Sequence, residues 1–210
     1  MPQKLRIGLD IDDTLLNSVD TVTGMNNELY GTTLTRDDWF NVTPEAFVHW
    51  QLKDGPAISD RVHELIMHKD YMSRVAAIKD AKEVLERLVV EGHELFAVTS
   101  RPDYIRGQTV QELELCFPRV FKDETLFMIN AFSADPAVAR ATKYDVAHQL
   151  ELTHFIDDLL LHANAVSDGG IKTILFSDNY LWNQGAEHEG VVRLGSWKDI
   201  GAYLDGEANR

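Results

Sequence analysis

Residues 9–14 read Leu9-Asp10-Ile11-Asp12-Asp13-Thr14, three carboxylates directly behind an apolar run. In that run Leu5, Ile7 and Leu9 alternate, the two-residue period of a buried strand over residues 4–9. Alternate strand residues share a face, so Asp10 and Asp12 would stand roughly 7 Å apart. At an effective dielectric of about 20 their repulsion is about 2 kcal/mol. A divalent cation would relieve it, and a site offering only oxygen ligands favours Mg²⁺. The carboxyl end of a strand is also where open α/β sheets bind their ligands. Such a run can equally form a solvated turn, with Asp13-Thr14 capping the next helix.

Outward from this stretch, Leu15, Val19, Val22, Met25 and Leu29 recur at helical spacing, and Tyr30-Gly31 stops the helix. Thr35 and Asp38 pair as a capping box for a short helix. Thr43-Pro44-Glu45 starts another, with Pro at the first helical position. Residues 57–69 carry Ile58, Val62, Leu65 and Ile66 on one helical face. Residues 17–72 therefore read as a purely helical insertion.

From Ala76 helices and strands alternate. Val84, Leu85, Leu88 and Val89 mark a helix closed by Gly92. A strand over 95–98 ends in Thr99-Ser100-Arg101-Pro102, followed by a helix over 104–115 and a strand over 126–129. A helix over 137–150 carries Lys143, and the short strand Phe155-Ile156 ends in Asp157-Asp158. A short helix over 162–166, a strand over 174–176 and a helix over 197–204 complete the chain. This alternation predicts an α/β protein with a doubly wound, mostly parallel sheet, its core built from 1–16 and 73–210.

Composition agrees with that class. The 210 residues suffice for one α/β core with a modest insertion, and 44% hydrophobic with 26% charged content is ordinary for a globular chain. The net charge of -14 speaks against a nucleic-acid polymer as partner, because such binding rests on clustered Lys and Arg. A small anion remains compatible if a metal and a few basic groups line one pocket. Cys116, the single cysteine, permits no internal disulfide and reads as a core filler, which fits a reducing cytoplasm. No stretch approaches the length of a membrane span, and with no apolar signal region or cleavage site before the first strand no leader is expected.

Three strand ends thus carry polar clusters, at Asp10/Asp12, Thr99-Ser100-Arg101 and Asp157/Asp158, and a parallel sheet brings them to one edge. Lys143 lies on the helix before the last of them. The set offers acids for a metal, a hydroxyl and a cation for phosphoryl oxygens, and a free carboxylate for attack. Those are the parts of metal-assisted phosphoryl transfer.

The same residues resemble the four motifs of the haloacid dehalogenase-like hydrolases, in order and spacing, over nearly the whole chain. The helical block resembles a C1-type cap. Ile156-Asp157-Asp158, the strand Thr173 to Phe176 and Asn179-Tyr180-Leu181-Trp182-Asn183 are similar to the pyrimidine-type 5′(3′)-deoxyribonucleotidases and related bacterial nucleotidases. Leu159 departs from that group, which usually has Arg after the paired Asp.

The resemblance implies that Asp10 attacks phosphorus to form an aspartyl-phosphate and that Asp12 protonates the leaving oxygen, then activates water. A member cleaving carbon–halogen bonds would lack the second aspartate, so Asp12 favours phosphate chemistry. It implies Mg²⁺ held by Asp10, the backbone carbonyl of Asp12 and one acid of the Asp157/Asp158 pair. Adjacent strand residues face opposite ways, so one of the two is expected to bind metal directly, Asp158 by resemblance. Thr99 and Lys143 would hold the phosphoryl group. Ser100 joins them as a substrate contact, and Arg101 would either reach the phosphate or form a structural ion pair.

Lys122, in a solvated loop, is the lesser rival to Lys143. Trp39, Phe40, Phe47, Trp50 and Tyr30 would stack on a base or form the cap's own core. The eight histidines show no metal spacing and read as structural, and Trp182 and Trp197 as packing residues. The expected activity is a Mg²⁺-dependent phosphomonoesterase acting on a small phosphorylated metabolite, with nucleoside monophosphates the first choice. A sugar-phosphate or nucleic-acid-end phosphatase and a non-catalytic binding protein on the same fold are the alternatives. Oligomeric state is open, a homodimer included.

Overall fold

The computed structural model describes residues 3–39, 44–129, 141–176, 183 and 185–210. Its centre is strand β1 (Arg6–Leu9), where Ile7 and Leu9 are fully buried on one face. Gly8 faces the other way, and a Cβ there would drive into the side chains of Leu152 and Phe155, so only glycine fits. The remaining strands are β2 (Glu94–Thr99), β3 (Leu126–Met128), β4 (His154–Asp157), β5 (Lys172–Phe176) and β6 (Val191–Leu194). Every pairing is parallel, in the order β3-β2-β1-β4-β5-β6. β1 aligns Leu9 with Ala97 of β2 and with Ile156 of β4. The chain grows from β1 toward one edge, then restarts beside β1 and grows toward the other. The β1/β4 junction is therefore the topological switch point, where open sheets of this order bind ligands.

Helices α4 (Ala81–Val90), α5 (Arg106–Cys116) and α8 (Trp197–Ala208) pack Leu85, Leu113 and Ile200 into one buried cluster with Ile7, Leu9, Ile156 and Ile174. On the opposite face α6 (Lys143–Gln149) and α7 (Leu160–Ser167) bury Val146 and Val166 against Val98 and Phe155. The first cluster continues into the helical segment through Val22 and Met25 of α1 (Ser18–Tyr30) and Leu65 and Ile66 of α3 (Gly55–Ile66). A short helix α2 (Pro44–Trp50) lies between them in sequence. No strand occurs among the described residues of 17–72. Trp39 and Trp50 pack edge to face at 5.3 Å, and the Trp39 indole donates to Thr23 Oγ1 at 2.7 Å, so both serve this segment's interior. Half-buried Cys116 packs against the main cluster, as expected of a filler.

Several boundaries differ from the sequence reading for local reasons. α1 starts at Ser18 rather than near Leu15, because residues 13–16 form a turn in which Asp13 N–H donates to Leu16 and both Leu15 and Leu16 donate to Ile11. α3 starts at Gly55, since Asp54 caps it by accepting from Ala57 N–H. α6 starts at Lys143, where the helix was expected from 137: Thr142 and Asp145 form a reciprocal capping box, and residues 137–140 lie outside the described residues. Strand β6 was not anticipated. It is a half-buried edge strand, whose run of four carries a weak alternation signal. Phe40 and the stretch 179–182 also lie outside the described residues.

Candidate active site

The carboxyl edge of the sheet brings the anticipated residues together. Asp10 follows β1, its N–H donating to Ile156 O of β4 at 2.9 Å, and its side chain is buried. Asp157 ends β4 and Asp158 follows it. Ligand oxygens of Asp10, Asp157 and Asp158 all lie within 4.8 Å of one another. The strand ends at Asp157, so alternation no longer separates neighbours, and both acids face Asp10 rather than only one.

Lys143 is the cation set against them. At the first position of α6 it reaches across with 3% exposure, its Nζ 2.7 Å from both Asp10 Oδ1 and Asp157 Oδ2. Asp157 also accepts from Leu159 N–H at 2.9 Å and faces His162 at 3.5 Å. Both its oxygens are thus in use. The Asp158 carboxylate makes no hydrogen bond or ion pair among the described residues. Asn183 grips its backbone instead, donating to Asp158 O at 2.5 Å and accepting from Leu160 N–H at 2.8 Å.

The electrostatics follow from this crowding. Burial pushes the Asp10 carboxyl up to about 6, with Asp157 and Asp12 adding to the rise against Lys143. Burial and the neighbouring Asp157 and Asp10 raise Asp158 well above the carboxylate range. Burial would raise Asp157 too, but Lys143 and then His162 hold it down at about 2. Lys143, despite its burial, is kept charged by the same two aspartates. One lysine thus faces three acids, and with all three ionised two negative charges would stand without a counter-ion. Buried oxygen donors with that balance fit a divalent cation of the Mg²⁺ type.

Asp12 lies outside this trio. Its carboxylate turns to Arg101, whose Nε and Nη2 donate to it at 3.0 and 2.7 Å, and which lowers its pKa against the opposing effect of burial. Thr99, the last residue of β2, is fully buried and its hydroxyl accepts from Arg101 N–H at 3.2 Å. The Ser100 hydroxyl is buried without a hydrogen-bond partner. Lys122 lies apart, exposed beside Glu124 at 3.8 Å.

The loop holding these groups is itself braced. Asp13 takes the left-handed conformation at φ 52, tolerable for an aspartate, and pairs with Arg36 at 3.1 Å. Burial, the larger effect, raises it to about 7 against that arginine. The Trp197 indole donates to Thr14 O at 2.9 Å, so this residue braces the loop as well as packing. Sequence reading missed the contribution of His162, Glu112 and Asn183. Only Asn183 belonged to a flagged stretch; the other two are signalled by nothing but their folded position.

The description of the family 5′ nucleotidase, deoxy (pyrimidine), cytosolic type C protein matches residues 3–132. A search of curated protein sequences finds no match. Among solved structures, a haloacid dehalogenase family hydrolase from Deinococcus radiodurans, with bound phosphate and sodium, superposes with a TM-score of 0.66 at 17% identity, covering 99% of this chain and 97% of that one. A haloacid dehalogenase-like protein from Streptococcus pneumoniae gives 0.62 at 14% identity, with 96% and 98% covered. One from Agrobacterium tumefaciens, of unknown function, gives 0.62 at 15%, with 98% and 100% covered. At these identities the structures establish a shared fold.

Proposed function

The chain belongs to the haloacid dehalogenase-like superfamily and, within it, to the cytosolic type C deoxy-pyrimidine 5′ nucleotidase family, and from that premise we propose that it is a Mg²⁺-dependent phosphomonoesterase working through an aspartyl-phosphate. One observation carries this reading: three buried carboxylates face a single buried lysine at the switch point of the sheet. Asp10, the main-chain carbonyl of Asp12 and Asp158 are the groups that would hold Mg²⁺. Bound there, the ion would neutralise and orient the phosphoryl oxygens. Asp157 is the second acid near them, engaged with Lys143 and so suited to support.

The residues divide the work as follows. Asp10 attacks phosphorus, so that an Asp10 O–P bond forms while the ester P–O bond breaks. Asp12, carrying a proton taken up with the ester monoanion, delivers it to the leaving oxygen. Ionised again and held by Arg101, Asp12 then takes a proton from water as the water oxygen attacks phosphorus and the Asp10 O–P bond breaks. Thr99 and Lys143 hold the phosphoryl oxygens through both steps, and the unpartnered Ser100 hydroxyl is placed to join them.

The proposed substrate is a nucleoside monophosphate, in keeping with the family's description. Residues 17–72 would form the cap that closes over it, set on a core of 1–16 and 73–210. No helix among the described residues is long and apolar enough to cross a membrane, which is compatible with a cytoplasmic enzyme. The test is turnover of a generic aryl phosphate with and without Mg²⁺, then of a panel of nucleotide and sugar monophosphates. Wild-type activity that needs Mg²⁺ and vanishes in Asp10→Asn supports the reading. Full activity in that variant, or no turnover of any ester by the wild type, overturns it.

A further inference from the structure

We propose that Arg101 is a positioning residue that fixes the carboxylate of Asp12 for proton transfer, anchored from behind by Thr109 and Glu112 of α5, and that it does not bind the phosphate. The proposal rests on the phosphomonoesterase reading of the site. Its basis is how the guanidinium is spent. Nε donates to Asp12 Oδ2 at 3.0 Å and Nη2 to Asp12 Oδ1 at 2.7 Å, a two-pronged grip that sets the plane of the carboxylate. On the far side Nη1 donates to Glu112 Oε2 at 2.7 Å and to Thr109 Oγ1 at 3.0 Å. Four of the five N–H donors are committed to protein, so reaching a phosphoryl oxygen would mean breaking this grip.

The anchor is rigid. Glu112 and Thr109 are fully buried, Arg101 is 3% exposed, and the Thr109 hydroxyl is itself pinned to Ile105 O at 3.1 Å. Arg101 in turn donates its backbone N–H to Thr99, the hydroxyl proposed to hold the phosphoryl group, so one residue links the acid/base, through its side chain, to the phosphate cradle, through its main chain. Lysine could supply the charge but not the planar fork. A correctly placed acid or base is worth about 10²–10⁴ in rate, and misplacement forfeits much of it without changing how the phosphate binds.

The experiment compares wild type, Arg101→Lys, Arg101→Met and Glu112→Gln on two esters: p-nitrophenyl phosphate, whose phenolate leaves without a proton, and a 2′-deoxynucleoside 5′-monophosphate, whose alkoxide needs one. Expected for Arg101→Lys and Arg101→Met is a fall in kcat on the nucleotide of about 10²-fold or more, with KM and inhibition by inorganic phosphate within about threefold of wild type. With the aryl ester the rapid burst of phenolate should survive while steady-state turnover falls, because only the water-activating step is impaired. Glu112→Gln keeps both partners of the grip and should show the same pattern in milder form, about tenfold. It carries the test should the arginine variants fail to fold. Three results overturn the proposal: KM and phosphate inhibition weakening tenfold or more together with loss of the burst, a pre-steady-state phosphorylation rate reduced equally on both esters, or no loss at all. If wild type turns over both esters, such a result removes the positioning role alone; if wild type turns over neither, the phosphatase reading falls and the role falls with it.

Discussion

Removing the divalent cation should make stability fall with rising pH, by an amount that the Asp10 carboxyl sets. Its pKa stands at about 6 in the fold against an ordinary 3.8. Between those values the folded chain keeps a proton that the unfolded chain has released, so unfolding is favoured as pH rises. Each pH unit of that gap is worth about 1.4 kcal/mol, and the two units cost about 3 kcal/mol by pH 7. Asp157 does not blur the window: its pKa is depressed to about 2, so its stabilisation is lost only as pH falls toward that value. Asp158 shifts in the same direction as Asp10 and adds to the effect. Asp13 titrates alongside Arg36, apart from the trio, and contributes to both arms of the comparison.

A cation seated among Asp10, Asp157 and Asp158 would stabilise their ionised forms and remove the penalty. Thermal unfolding would be followed from pH 4 to 7, once in EDTA and once in excess Mg²⁺ over EDTA. The two curves should meet near pH 4 and separate by about 3 kcal/mol or more at pH 7. For a chain of this size that is about 6–12 °C in Tm. Asp10→Asn, which cannot titrate, should narrow the gap. Curves that run parallel through the window would refute both the like-charge crowding and the cation that resolves it.

Two further outcomes follow from the same geometry. Lys143→Met leaves three acids facing one another without a cation; urea unfolding in EDTA at pH 7 should show a loss of about 3–5 kcal/mol, and unchanged stability would show that the 2.7 Å contacts carry no weight. Asn183→Ala frees the backbone on which Asp158 is mounted, and titration calorimetry with Mg²⁺ should find affinity lowered about 10–100-fold, whereas an unaltered Kd would separate Asn183 from the cation site.

Most of the site was legible because its residues sit where local patterns change. Asp10, Thr99 and Asp157 each end an apolar run, and a run's end is readable without knowing its neighbours. Lys143 was legible as a cation on the helix preceding the Asp157-Asp158 cluster, although its place at the helix start depended on the Thr142–Asp145 capping box. What escaped was non-local. The grip of Arg101 on Asp12 joins positions 12, 101, 109 and 112, which no periodicity links. Alternation did not foresee that Asp157 and Asp158 would both gather beside Asp10, because the strand stops between them. β6 escaped because a half-buried edge strand needs little apolar contrast to form once β5 offers its backbone.

The central claim is that Asp10 carries the phosphoryl group, and the most direct test is to trap it there. Enzyme turning over a phosphate ester with Mg²⁺ would be acid-quenched at millisecond intervals, digested and mapped by mass spectrometry, with a parallel sample reduced by borohydride. The predicted result is a base-labile phosphate on the peptide containing Asp10, forming no more slowly than turnover and converted by borohydride to homoserine at that position. Phosphate on another residue, or steady turnover with no phosphoenzyme at any quench time and no reduction product at position 10, would contradict it.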